Sequence, residues 1–506
     1  MVKNVLRNVF LIRSFPYGRI SVSMNLKSFM TGCLVLWLSS MLAMAEFAVV
    51  PEPVSVKEEE GVCTRPLIVE RKIDRKLPKE GYKLSIGPKG VVLSYGDKAG
   101  EFYGEQTLEQ IRMQYAGKPV PCAEITDYPR YEWRGMLLDP ARYFLPLDDM
   151  KRFIDVMAFY KYNKLHVHLT DDQGWRLPVP GYPKLKEIAS HRAESHGNKT
   201  PHGGMYTKEE LKELVRYAAQ KHVEVIPEVD APGHNQALGA AYPNFMCFPS
   251  PDLKVGTTAG VTKHLVCPQN PEVWAFYKAV MKELKDIFPS SYVHLGGDEA
   301  PEDNWMKCPA CAKWRKANGI AVSNGDDNAL KQEAREQLRV FFRKLSGIVR
   351  EQGKEPLFWY EDPIADYPKG STVYTWRMGL TPSTIKKSRE QGLKLICSPG
   401  EHCYLDYSYG QTSLKRSYDL DPGYGLPEKD QRHIIGLEAT MWGEHIPDID
   451  RAFYMAYPRA LALSEAGWSP MNVRGWDRFK KKLPVQADIM QKKWQLSLDR
   501  PDPTSK

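Results

Sequence analysis

The feature that most narrows the fold of this chain is a recurrence: beyond residue 130, short apolar runs alternate with longer amphipathic stretches, eight times over. The runs fall at 134–139, 164–171, 224–230, 292–299, 355–361, 371–376, 394–398 and 434–442. Short runs with little polar alternation suit strands covered on both faces, and the helical stretches between them supply the crossovers that parallel strands require. Helix starts are legible: Thr207 with Glu210 makes a capping box, and Asn270 precedes Pro271 as N-cap and first helical residue. Leu211, Leu214, Val215 and Ala218 then fall on one face. Eight such strands predict an α/β fold, a closed (β/α)8 TIM barrel over residues 129–500. An open doubly wound sheet is the alternative, disfavoured because no Gly-rich phosphate loop follows the first run.

Residues 46–128 read differently. Alternating strands at 82–86 and 91–95 and a helical stretch at 105–115 predict a small α+β domain preceding the barrel, with Pro119, Pro121 and Pro129 marking the exit. No long linker intervenes, so the two are expected to pack directly together.

Residues 1–45 have the pattern of a targeting segment: Lys27, an apolar run from Cys33 towards Leu42, then Ala43-Met44-Ala45. Export to the periplasm or beyond is the expectation, with no stable membrane span once the signal is removed, because the run is short. The segment also accounts for most of the net charge of +8, since it holds five of the chain's cations and no acid, leaving +3. Nucleic acid is therefore not an expected partner. Eight cysteines remain: Cys63, Cys122, Cys247, Cys267, Cys308, Cys311, Cys397 and Cys403. Cys308-Pro309-Ala310-Cys311 could be half a zinc site, but no second such pair lies nearby in sequence. A local disulfide or two free thiols is preferred there, and a Cys247–Cys267 disulfide elsewhere.

In a barrel of this kind, chemistry gathers where the strands end. The ends are heavily polar and aromatic: Asp139 and Arg142, Asp171 and Asp172, Asp230 and His234, Asp298 and Glu299, Trp359 and Glu361, Trp376, Tyr404 and Asp406, Trp442 and Glu444. Neighbours on a regular strand point to opposite faces, so Asp298 and Glu299 can share a site only where the strand stops. Gly296-Gly297 immediately before them allows that exit. An isolated acidic pair is ordinarily a solvated loop; His294-Leu295-Gly296-Gly297-Asp298-Glu299-Ala300 is a stronger signal.

With Trp133-Arg134-Gly135 through Arg142, the stretch His168 to Arg176, and Ile226 to His234, these residues resemble family 20 β-N-acetylhexosaminidases, in that family's motif order. The small domain ending Gly100-Glu101-Phe102-Tyr103-Gly104 is similar to the one preceding the barrel there. The resemblance implies an exo-acting, retaining hydrolase of terminal β-linked N-acetylhexosamine on glycans, in which the substrate's acetamido oxygen attacks to form an oxazolinium ion. It implies Glu299 as acid and base, Asp298 as the carboxylate steadying the acetamide, and Tyr404 as its hydrogen-bonding partner. Trp359, Trp376 and Trp442 become an aromatic box, while Arg142, Glu444 and Asp406 bind the sugar's outer hydroxyls. Asp171 and His234 line the surroundings of the acid and Asp230 supports them; no cofactor and no catalytic metal are expected. Tyr143 and Tyr360-Glu361 depart from the family's usual residues. Two other readings stay open: a glycan-binding barrel without catalysis, and a metal-dependent hydrolase built on His168, Asp171, Asp230 and His234.

Overall fold

The computed structural model describes residues 47–320, 327–361, 367–377, 382–423 and 426–499. The targeting segment expected at 1–45 lies outside the described residues. A five-stranded sheet comes first: β1 (Ser55–Cys63), β2 (Val69–Ile73), β3 (Tyr82–Gly87), β4 (Gly90–Tyr95) and β5 (Val120–Asp127), in the order β1-β5-β3-β4-β2. Alternation decides its faces: Tyr82, Leu84 and Ile86 on β3 are buried while the residues between them are not. One helix, α1 (Lys98–Gln114), covers the buried face. It starts well before the predicted residue 105, because Asp97 caps it by accepting from the Gly100 amide. Gly100 and Gly104 let it lie close, since a Cβ at Gly100 would stand 2.3 Å from the Gly81 carbonyl oxygen and one at Gly104 2.5 Å from Leu93.

The barrel follows, as predicted. Its strands are β6 (Trp133–Leu138), β7 (Lys164–His168), β8 (Glu224–Glu228), β9 (Tyr292–His294), β10 (Glu355–Trp359), β11 (Thr372–Thr375), β12 (Lys394–Cys397) and β13 (Ile434–Ala439). All eight pair in parallel, and β13 closes onto β6. Each overlaps its predicted run. Several stop short of the predicted end, most of all β9, where Gly296 and Gly297 take φ of 61° and 90° and turn the chain out of the sheet. The helix starts hold as well: Thr207 and Glu210 cap α2 (Lys208–Gln220) reciprocally, and Asn270 caps α3 (Pro271–Ile287).

Inside the barrel the packing is mixed. Trp133, Leu137, Ile226, Leu357, Trp359, Tyr374 and Ile396 form one apolar cluster. Among them sit four fully buried ionisable residues, His166, Glu228, His294 and Glu438. Such groups persist in a dry interior only when mutually paired.

The expected Cys247–Cys267 disulfide is corrected, since no described cysteine forms a disulfide, and at Cys308 and Cys311 the free-thiol alternative holds. Instead Cys247, Cys267, Cys308 and Cys311 form one cluster, their sulfurs within 4.8 Å of one another. The fold brings two sequence-distant pairs together, which spacing along the chain could not disclose.

The small sheet is fixed to the barrel by a buried polar joint. Lys161, in the turn before β7, places Nζ 2.8 Å from Asp127 Oδ2 at the end of β5, and both side chains are inaccessible to solvent. Asp127 also accepts from the Tyr82 hydroxyl at 2.5 Å and from Trp468 Nε1 at 2.9 Å. Arg134 reaches Glu80 at 2.6 Å alongside. Removing one member of a buried pair strands the other, at about 3–5 kcal/mol. Asp127→Ala is expected to lose stability of that order in urea unfolding; a loss under about 1 kcal/mol, the range of exposed pairs, would show that this joint does not hold the layers together.

Candidate active site

Carboxyl-terminal ends of the barrel strands, and the loops that follow them, line a cavity of about 750 Å³. Its lining includes Arg142, His168, Asp171, Asp230, His234, Asp298, Glu299, Trp376, Tyr404, Asp406, Trp442 and Glu444. Every predicted site residue except Trp359 is on that wall. Trp359 lies beneath it, 1 % exposed, donating from Nε1 to Glu228 at 2.8 Å and packing against Trp442 at 5.4 Å between ring centroids. Its position at the last residue of β10, facing the barrel axis, makes it the floor under Trp442 rather than a wall.

Asp298 and Glu299 line the same cavity. The strand ends at His294, and two left-handed glycines then reverse the backbone before the acids. Glu299 is itself left-handed, with φ of 49°, a conformation that costs a side-chain-bearing residue about 1–3 kcal/mol. Its amide points at Glu361 Oε1, 3.3 Å away, and the Gly297 amide donates to Asp230 Oδ1 at 3.0 Å. A Cβ at Gly296 would fall 2.0 Å from that same Asp230 oxygen. The turn therefore requires glycine there, and its outcome is two adjacent carboxyls facing one space.

Asp298 Oδ1 is shielded from solvent and has no hydrogen-bond partner among the described residues. A buried acceptor without a donor is costly, and a ligand N–H or O–H would relieve it. Trp376 Nε1 is likewise buried and unpartnered. Trp442 and Tyr404 line the same cavity, their ring centroids 6.3 Å apart. Arg142 is held between Asp139 at 2.9 Å and Asp171 at 2.8 Å, with Glu444 at 3.8 Å, and its guanidinium lies over Trp442. Asp406 accepts from the Trp442 amide at 3.4 Å.

Sequence reasoning missed the layer below. Glu228 accepts from His168 Nδ1 at 2.5 Å and Trp359 Nε1 at 2.8 Å, with His166 at 3.1 Å and His294 at 2.9 Å. His168 Nε2 reaches Asp171 at 2.7 Å, Asp171 reaches His234 at 3.3 Å, and His234 Nε2 lies 3.7 Å from Glu299 Oε2. The signal was present in Leu165-His166-Val167-His168, where period-two spacing puts both histidines on one face of a strand. Several of these groups sit close enough to hold a cation. In this arrangement, however, both His168 nitrogens are engaged by carboxylates, and Asp171 is shared by Arg142, His168 and His234, so little ligating capacity is left.

The family model "Glycosyl hydrolase family 20, catalytic domain" matches residues 131–471, and "Glycosyl hydrolase family 20, domain 2" matches residues 32–128. A β-hexosaminidase of Akkermansia muciniphila is 49% identical over 471 residues, covering 90% of this chain and 93% of the relative. Among solved structures, a β-N-acetylhexosaminidase superposes with a TM-score of 0.86 at 47% identity, over 92% of this chain and 99% of that one. A mutant Streptomyces plicatus β-hexosaminidase in complex with product (GlcNAc) superposes with a TM-score of 0.75 at 30% identity, over 90% and 97% of the two chains.

Electrostatics set the acids apart. Burial pushes the Asp298 carboxyl up to about 7; the His234 cation opposes this, while Glu228, Glu299 and Glu361 add to it. His234 is itself held cationic: burial would lower it, but Asp171, Asp172 and Asp230 outweigh that. Asp230 is raised well above the carboxylate range by burial and by Asp298. The site thus keeps a proton among its deep acids at neutral pH. Carboxyl carbon shifts of Asp298 are expected to titrate near pH 7. In His234→Gln the midpoint should rise, because the cation that favours the ionised form is gone. A midpoint near that of a free aspartate, or one that falls in the variant, would refute this account.

Proposed function

The chain belongs to glycosyl hydrolase family 20, and from that premise we propose that it releases terminal β-linked N-acetylhexosamine by a retaining reaction in which the substrate's own acetamide is the nucleophile. The chain is a glycosidase of the β-hexosaminidase kind. The observation that carries the finer reading is the unpartnered Asp298 Oδ1 beside the Glu299 carboxyl, in a cavity walled by Trp376, Trp442 and Tyr404. An amide N–H is the donor that this oxygen lacks, and flat indole faces suit an acetamido methyl and a sugar ring. GlcNAc, the product bound in the Streptomyces relative, is a sugar of that description.

In this reading Asp298, ionised, accepts the acetamide N–H and turns the carbonyl oxygen toward the anomeric carbon. The Tyr404 hydroxyl donates to that oxygen and fixes its approach. Glu299 protonates the departing glycosidic oxygen as the C1–O bond breaks and the acetamido oxygen bonds to C1, giving a bicyclic oxazolinium ion. Water then adds to C1 from the face the leaving group vacated, losing its proton to Glu299, and the oxazolinium C1–O bond opens to give the sugar with its configuration retained. Arg142, Asp406 and Glu444 bind the terminal hydroxyls, and Trp359 supports Trp442 from below. His234 and Asp171 connect the acid to the buried charges, and Asp230 holds the strand exit. The composition of residues 1–45 makes export part of the same proposal.

Three outcomes test it. Glu299→Gln is expected to lower kcat on an aryl β-N-acetylglucosaminide by about 10²–10⁴, the share of a positioned proton donor; wild-type turnover in that variant would remove Glu299 from the chemistry. Successive fluorination of the acetamido methyl weakens its oxygen as a nucleophile, so the rate should fall stepwise; indifference to fluorine would argue for an enzyme nucleophile instead. With pH, kcat/KM should decline as the medium is acidified through about 7, where Asp298 gains its proton in the free enzyme. The corresponding limb of kcat should lie lower, because the bound N–H stabilises the carboxylate; coincident limbs would contradict that contact.

A further inference from the structure

The loops that follow β8 and β9 carry His234 and Glu299 to the cavity, and further along each loop lies a pair of cysteines. Cys247 and Cys267 flank a small antiparallel bridge in the first loop: the Cys247 amide donates to the Leu265 carbonyl at 3.0 Å and the Cys267 amide to the Phe245 carbonyl at 2.7 Å. In the second loop Cys308 precedes helix α4 (Pro309–Ala317), and Cys311 lies in its first turn. All four are buried. Cys247 Sγ stands 3.4 Å and Cys267 Sγ 3.8 Å from Cys311 Sγ, and all four sulfurs lie within 4.8 Å of one another.

Those separations discriminate between the two usual fates of such thiols. A disulfide requires about 2.05 Å between sulfurs. Four thiolates at about 2.3 Å from a central zinc ion stand about 3.8 Å apart along the tetrahedron's edges. Backbone amides face two of the sulfurs, those of Gln269 and Asn270 at Cys267 Sγ and that of Cys311 at Cys308 Sγ, while the Val266 and Cys247 carbonyls stand 3.7 Å from Cys247 Sγ and 3.6 Å from Cys308 Sγ. The N-terminal end of α4 adds a favourable partial charge. Among the described residues no histidine or carboxylate belongs to the cluster, so the donor set is uniformly soft.

We propose that Cys247, Cys267, Cys308 and Cys311 bind one structural zinc ion in a closed tetrathiolate site, which clips the loop after β8 to the loop after β9. Two hydrogen bonds run along the same seam, Trp305 Nε1 to the Val266 carbonyl at 3.0 Å and Asn304 Nδ2 to the Lys263 carbonyl at 2.6 Å. The ion makes no contact with substrate. With every position taken by sulfur it serves no Lewis-acid purpose and acts by fixing the relative placement of the two loops.

The test reads metal rather than activity, so its result is independent of the glycosidase mechanism. The full chain, purified without reductant and dialysed against metal-free buffer, is expected to retain about one zinc per chain by elemental analysis. A mercurial reagent should release it in proportion to thiols titrated, and the cobalt-substituted protein should show the visible absorption of tetrahedral tetrathiolate cobalt. The C308S/C311S double variant should hold at least tenfold less zinc and melt at a lower temperature, while Cys122→Ser, outside the cluster, should keep its metal. If the double variant does not fold, the native chain's metal content and thiol count still decide. Less than a tenth of a zinc per native chain, or non-reducing peptide mapping that finds any of the four in a disulfide, would overturn the proposal.

Discussion

The Glu228 carboxylate is the interaction on which the upper barrel depends. Burial alone would push it toward protonation, but His168, His294 and His166 outweigh burial and hold it well below the usual carboxylate range. From it a continuous path of paired charges climbs the barrel through His168 and Asp171, where Arg142 joins, to His234 and the vicinity of Glu299. Magnitudes separate this network from the surface ion pairs. An exposed pair such as Lys98 with Glu101 is screened by solvent and contributes little, whereas breaking a buried pair costs about 3–5 kcal/mol because the survivor is left unpaired. The side chains that fix the cavity's shape are thereby held by interactions that cannot relax into solvent.

The second constraint is the exit of β9. Two consecutive acids on a strand would ordinarily face opposite ways. Three left-handed residues among four, Gly296, Gly297 and Glu299, rotate the chain so that they do not. Asp230 is the template for this turn: it accepts the Gly297 amide and occupies the space that any side chain at Gly296 would need. The placement of Asp298 and Glu299 is thus a joint product of two strand exits, with Asp230, just beyond β8, supplying the carboxyl against which the end of β9 folds.

These dependencies explain what could be read from the chain in advance. The eight strands, the two helix caps and the carboxyl-terminal gathering of polar residues were legible, because period, cap chemistry and strand-end position are local properties. The start of α1 is not disclosed by the helical pattern, which is legible only from residue 105, although Asp97 and Gly100 carry the cap. The family resemblance places Trp359 in the aromatic box; only the register of β10 shows that its indole turns inward onto Glu228. Glu228 and Glu438 escape notice since each looks like an interruption of an apolar run until the barrel closes and sets them beside His166 and His294. The cysteine cluster is the same case: no spacing rule relates residue 247 to residue 311, and the contact exists only once two loops meet.

The charge balance of the cavity narrows what can occupy it. Its deep cations, Arg142, His168 and His234, are already matched by Asp139, Asp171, Glu228 and Glu444. Arg451, also on the lining, is exposed. The acids left over are pushed upward, Asp298 to about 7 and Asp406 to about 8, chiefly by burial, with Glu444 adding to the latter. An anionic group brought to this depth would meet carboxyls rather than a free cation and would lose its hydration without compensation. A neutral ligand rich in N–H and O–H donors meets acceptors at every turn, and each donor that reaches Asp298 or Asp406 returns that carboxyl toward its ionised form. Selection for an uncharged amide-bearing sugar at the deepest position follows from the same burial that raises these acids.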